Sequence, residues 1–376
     1  MFNLGNNLKR SWQILWNYKV LWFFAFLLAL FSGGGGGGGN SGIQYSGGRE
    51  ASSSHYTPGQ WGVWGRQIEA WFLQNISPLF ETEQRALETA IWIIVGVMAL
   101  AIVFGLIAAL VRYPTESAII RMVNERENTG AKLRFKEGWK LGWTHRALNM
   151  FLIDLMLAIP VLIYIAIIAV VAVTSFFGLY YNRDITLTAG TGVLIAALIL
   201  LTIVFVLGMV FLGILRQFFV RAAVIEGKNF GESFSRGWQL FKKNSGNALL
   251  MWITLIGVMI VVGIALVIVA IILVPAYAIL AIPGAIAAAI PGAIAYGISS
   301  LFAGQVVTWI IAALIAIPFF FIVTFSPLIL LGGLVQLFSS NNWTLTYRQF
   351  AGMEQPPVLP QPEPVTPPAV PAEPVG

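Results

Sequence analysis

From Asn244 to Tyr347 the chain carries no Asp, Glu, Lys or Arg. A water-soluble domain cannot run so far without charge, because most of its surface faces water and charged side chains supply much of that surface. The rest of the sequence points the same way: of 376 residues, 58% are hydrophobic and 10% charged, where soluble domains have roughly 45–50% and about 25%. No interior of a chain this size hides that excess, so the chain reads as an integral membrane protein. With no water to bond the backbone in lipid, helices are the economical solution. The expected fold class is therefore all-α, a polytopic membrane helical bundle.

Six apolar runs are near the ~20 residues needed to cross a bilayer, at about 14–31, 90–111, 148–173, 192–215, 248–273 and 306–331. They read as three tandem helix hairpins within a membrane domain spanning 1–352. Pro114, followed by Thr115 and Glu116, reads as a helix start. Pro160, Pro318 and Pro327 read as kinks. Between the last two runs stand Ile282-Pro-Gly-Ala-Ile-Ala287 and Ile290-Pro-Gly-Ala-Ile-Ala295. Proline and glycine recur there too closely for a straight spanning helix. Short helices at the outer interface are expected, with a re-entrant hairpin and an extra full span as the alternatives.

One short pattern occurs three times: Leu8-Lys-Arg-Ser-Trp12-Gln-Ile-Leu-Trp16, Phe135-Lys-Glu-Gly-Trp139-Lys-Leu-Gly-Trp143 and Phe234-Ser-Arg-Gly-Trp238-Gln-Leu-Phe-Lys-Lys243. A large apolar residue is followed by basic character, then Gly or Ser, then Trp. Each copy precedes a long apolar run. Tryptophan and lysine favour the headgroup level, so the copies are expected as interfacial helices anchored by Trp12, Trp16, Trp139, Trp143 and Trp238. Trp343, in Asn341-Asn-Trp-Thr-Leu-Thr-Tyr-Arg348, is expected to return the chain to that level. Outside the spans, 33–87 reads as an extracytoplasmic loop. It holds the glycine run 33–39, a flexible linker, and an amphipathic helix with Trp61, Trp64, Ile68, Trp71 and Phe72 on one face. Residues 353–376 are a disordered Pro-rich tail.

Basic residues set the orientation. Residues 1–19 hold three Lys or Arg, 112–146 eight, 216–243 six, and Arg348 joins them, against Arg49, Arg66, Arg85 and Arg183 opposite. The positive-inside rule then places both termini in the cytoplasm. A net charge of +6, concentrated at membrane edges, suits anionic lipid headgroups as partners and not nucleic acid. A protein partner is a further candidate.

Candidate chemistry is sparse. The chain has no cysteine and two histidines, His55 and His145, which excludes thiolate chemistry and multi-histidine metal sites. No cofactor is implied, and no constellation of nucleophile, base and orienter is recognisable, so no enzyme is expected. Asp154 is the one ionisable residue well inside a span. Intramembrane carboxylates mark ion or substrate paths, but Arg216, ending its span at the same level, offers a structural partner. Asp154 and Arg216 are therefore the candidate intramembrane site.

The stretch Ser233-Phe-Ser-Arg-Gly-Trp238 and the closing Trp343-Thr-Leu-Thr-Tyr-Arg348 resemble a group of uncharacterised bacterial six-span membrane proteins. They are similar to the membrane domain joined to some glycerophosphoryl diester phosphodiesterases. The resemblance covers about residues 1–352 in layout and implies a bacterial inner-membrane location with no agreed activity. No phosphodiesterase domain is present. Two functions fit: a non-enzymatic envelope or lipid-associated scaffold or accessory subunit, and, as the alternative, a transporter or permease for an apolar or lipid-like substrate.

Overall fold

The computed structural model describes residues 3–31, 70, 74, 83–181, 189–301 and 305–353. The loop and amphipathic helix expected over 33–87 lie outside the described residues up to residue 82, residues 70 and 74 apart, as does the Pro-rich tail from residue 354. Among the described residues all regular structure is helical, in eleven helices. These are α1 (Leu4–Asn17), α2 (Val20–Phe31), α3 (Glu83–Thr129), α4 (Phe135–Gly142), α5 (His145–Tyr181), α6 (Ala189–Val224), α7 (Phe230–Lys243), α8 (Ser245–Ile272), α9 (Val274–Ser299), α10 (Gln305–Thr324) and α11 (Ser326–Phe350).

Each tryptophan stretch forms its own short helix, α1, α4 or α7, broken from the helix that follows. Local chemistry fixes where they start. The Asn3 side chain accepts from the Asn6 amide at 3.1 Å, and the Arg134 amide donates to Glu137 Oε2 at 2.8 Å, satisfying end groups that have no partner within the helix.

Pairwise contacts give the directions. Tyr113 stacks edge-on against Phe151 and Arg121 reaches Leu141 and Thr144, so α3 and α5 are antiparallel. Asp154 meets Arg216 and Tyr164 meets Thr202, so α5 and α6 are antiparallel too. Helices α3 and α6 therefore run the same way. Arg221 bonds the Ser340 carbonyl and Glu226 takes Tyr347, which sends α11 in that direction as well.

Among the described residues, four helices, α5, α6, α8 and α9, are long and apolar enough to cross a membrane, or up to six if each bent pair counts as one span. The chain is a multi-pass membrane protein. Several local expectations change. The run 14–31 is not straight: α1 meets α2 at 98°, because the amphipathic first half packs sideways while the apolar second half turns inward. The run 306–331 breaks at Phe325 with a 68° bend. Pro327 then opens α11, where its missing N–H costs nothing. No helix starts at Pro114, since α3 passes through it unbroken. Residues 274–299 are one helix containing both Pro283 and Pro291, in place of short interfacial pieces. The reason lies in the glycines after the prolines. Gly284 sits against Phe320 and Thr324 and Gly292 against Ala316, so α9 and α10 close into a tight antiparallel hairpin, as small residues permit in lipid.

Burial is concentrated at one end of the molecule. Residues from α1, α2, the second half of α3 and α11 form one apolar cluster. The end of α6, α7, the start of α8 and α11 form another. Helices α3, α5 and α6 form a third. Away from this end, Val170, Leu200 and Ile264 are 63%, 63% and 60% exposed, which costs nothing where the surroundings are lipid.

Candidate functional site

Asp154 and Arg216 come together, and they are not alone. Arg216 Nε donates to Asp154 Oδ1 at 2.5 Å and Nη2 to Oδ2 at 2.8 Å. The same guanidinium donates to both oxygens of Glu116, at 3.2 Å each. Arg112, one turn before Glu116 on α3, lies 3.7 Å from Asp154. Three helices thus each put charge into one cluster. Asp154 reaches it because α5 is antiparallel to both neighbours. All but one N–H of the Arg216 fork is engaged, and both carboxylates are held by it. Such bidentate geometry is strong and specific. Among the described residues no group of three His, Asp or Glu side chains comes together to hold a metal.

A second polar layer adjoins the cluster. Arg221, one of the most completely buried side chains, donates to the Gln217 side chain at 2.6 Å, to the Gln217 carbonyl and to the Ser340 carbonyl at 3.0 Å. Ser340 belongs to a run of α11, Ser339 to Arg348, in which every residue is buried. That run ties the core together. Tyr347 donates to Glu226 at 2.6 Å, and Arg236 pairs with the same carboxylate. Arg348 holds Asn124 and Asn128 of α3. Asn7 of α1 donates to Gln349 at 3.1 Å.

The tryptophans divide. Trp12, Trp16, Trp143 and Trp238 are about half exposed. Trp139 is partly buried against the first cluster. Trp343 is not an interfacial anchor: it is 2% exposed and packs edge-on against Phe218. Its run is uncharged apart from Arg348 and amphipathic on neither side, because helices surround it. The residue before each tryptophan has a definite role. Ser11, Gly138 and Gly237 are buried. A Cβ at Gly138 would overlap Met122 and Phe24, and one at Gly237 would overlap Phe219. The small residue lets each short helix dock on the core, while Trp12 and Trp238 turn outward and Trp139 lies along the first cluster.

Sequence reasoning missed Glu116, Arg112, Arg221 and the buried run of α11. Glu116 was legible in one respect, its one-turn spacing from Arg112. The burial of Arg221 had no local signal.

The profile of a family of unknown function (DUF7544) matches residues 3–341. No curated protein and no solved structure matches the chain.

Proposed function

We propose, from the premise that the chain belongs to that family of unknown function (DUF7544), that it serves as a non-catalytic membrane component: an envelope or lipid-associated scaffold, or an accessory subunit. One observation carries this reading. Among the described residues, the two carboxylates near the membrane interior are both engaged, with Arg216 bracing Glu116 and Asp154. They brace three helices and leave no charged lining for a polar solute. A shallow groove along α6 is lined by Ile195, Leu198, Ile199, Thr202 and Ile203, which suits acyl chains.

The orientation belongs to the same proposal. The packed end carries the basic segments, so it faces the cytoplasm of a bacterial inner membrane, with Trp12, Trp16, Trp143 and Trp238 and their lysines against anionic headgroups. Ser235 is exposed on α7. In the cysteine-free chain, Ser235→Cys should resist an impermeant maleimide in intact cells and react after permeabilisation. Labelling in intact cells would reverse the orientation.

Native mass spectrometry of the protein extracted with its lipid tests the function. A protein partner at fixed stoichiometry supports the subunit reading. Retention of a discrete small molecule without a partner counts against it. That outcome would favour the second reading, a carrier for an apolar or lipid-like substrate. The two bent helix pairs speak for it: α2 and α11 pack together at Gly333 and the Ala25 carbonyl, and broken helices are where carriers bind and move.

A further inference from the structure

Where α3, α6 and α11 run side by side, four buried hydrogen-bond donors have no acceptor among the described residues: Ser117 Oγ, Gln217 Nε2, Arg221 Nε and Asn341 Nδ2. Contacts between the helices place their residues at one level. Ser117 and Gln217 follow Glu116 and Arg216, which are bonded to each other. Arg221 holds Gln217 and the Ser340 carbonyl, and Asn341 follows Ser340. Asn341 lies two turns before Arg348, and Ser117 two turns before Asn124, the residue Arg348 holds. Because α3 and α11 run parallel, Ser117 and Asn341 are level. Ser117 and Asn341 are 0% exposed, Arg221 1% and Gln217 3%.

Charge in this layer does not balance. Among the described residues, three cations, Arg112, Arg216 and Arg221, face two carboxylates, Glu116 and Asp154, both already bonded to Arg216. Arg221 feels Glu116 without bonding it, and its hydrogen bonds go to neutral acceptors. A buried cation without a counter-ion is costly, and so is each buried donor without an acceptor. The opposite face of α11, toward α1, differs. There Ser11 and Thr346 hydroxyls accompany the Asn342 carbonyl oxygen, so donors and acceptors are mixed, as water or mutual bonding would satisfy. On the α3–α6 face, donors outnumber acceptors: Gln217, Arg221 and Asn341 each present an unpartnered N–H group, against Asn341 Oδ1 and the Ser117 hydroxyl, which can donate or accept.

We propose that Ser117, Gln217, Arg221 and Asn341 form an internal site for a small monoanion of halide type, which supplies the missing counter-charge and locks α11 between α3 and α6. Neither the family nor the scaffold reading assigns such a site. Chloride is the probe.

Full-length protein in detergent should bind radiolabelled chloride saturably, one ion per chain. Its thermal midpoint, followed by tryptophan fluorescence, should be about 2–4 °C higher in sodium chloride than in sodium gluconate at equal ionic strength. Asn341→Leu removes both unpartnered atoms of that side chain at similar volume and should abolish binding and the chloride shift. Ser117→Ala, a milder change, should weaken binding several-fold. No saturable binding by the wild-type chain would overturn the proposal. So would an undiminished chloride response in Asn341→Leu or, should that variant not fold, in Ser117→Ala.

Discussion

Asn341 and Ile264 lie in the same charge-free stretch, Asn244 to Tyr347. Asn341 is 0% exposed and Ile264 60% exposed. One belongs to the packed end, where α3, α6 and α11 enclose polar side chains. The other belongs to spans that touch few neighbours and show isoleucine and valine outward. The inversion teaches where specificity resides. In lipid, apolar packing between helices gains little over packing against acyl chains. The spans therefore need only length and hydrophobicity. At the packed end, hydrogen bonds and ion pairs have direction and partners, and they select one arrangement.

The contrast can be broken first at its strongest bonds. Arg216→Met leaves Glu116 without its ion pair and Asp154 with Arg112 alone, and should cost about 3–5 kcal/mol, read as a large fall in the thermal midpoint in detergent. Trp343→Ala opens a cavity beside Phe218 and should cost a similar ~3–5 kcal/mol; Trp238→Ala, on the exposed face of α7, should leave the midpoint almost unchanged. A buried tryptophan as tolerant as the exposed one would erase the distinction. Gly333→Val comes next. Any Cβ there overlaps the Ala25 carbonyl, and overpacking of this kind costs about 1–3 kcal/mol. Smallest is Ile264→Ala in α8, expected within ~0.5 kcal/mol of wild type by the same assay. A larger loss would reveal a protein contact on that face.

How much of this was legible follows the same divide. Apolar runs announce themselves through composition, so the all-helical membrane class could be read from residues 90–111, 148–173 and 192–215. The Asp154–Arg216 contact could be read from the level at which their spans place them. Residues 274–299 misled, because Pro283 and Pro291 break an isolated helix in water. In the structure the prolines stay within one helix, and Gly284 and Gly292 fit it to α10. Trp343 misled for the opposite reason. Its neighbours are polar, and polar sequence normally signals a surface. Here the run meets polar groups from Arg221, Glu226, Asn124 and Asn7, which are remote in sequence. No local pattern encodes such partners. The small residue before Trp12, Trp139 and Trp238 was visible as a repeat, but the docking role of Gly138 and Gly237 needed the contacts of Met122 and Phe219.

The central claim is that the packed end, and not the spans, determines the fold. A side-by-side alanine scan of thermal midpoints over 336–348 of α11 and 155–170 of α5 tests it most directly. The account predicts large losses throughout the buried α11 run, greatest at Trp343, Tyr347 and Arg348, and a flat profile along α5 apart from Tyr164, which meets Thr202 and Phe205. Comparable losses on α5, or a flat profile on α11, would contradict it.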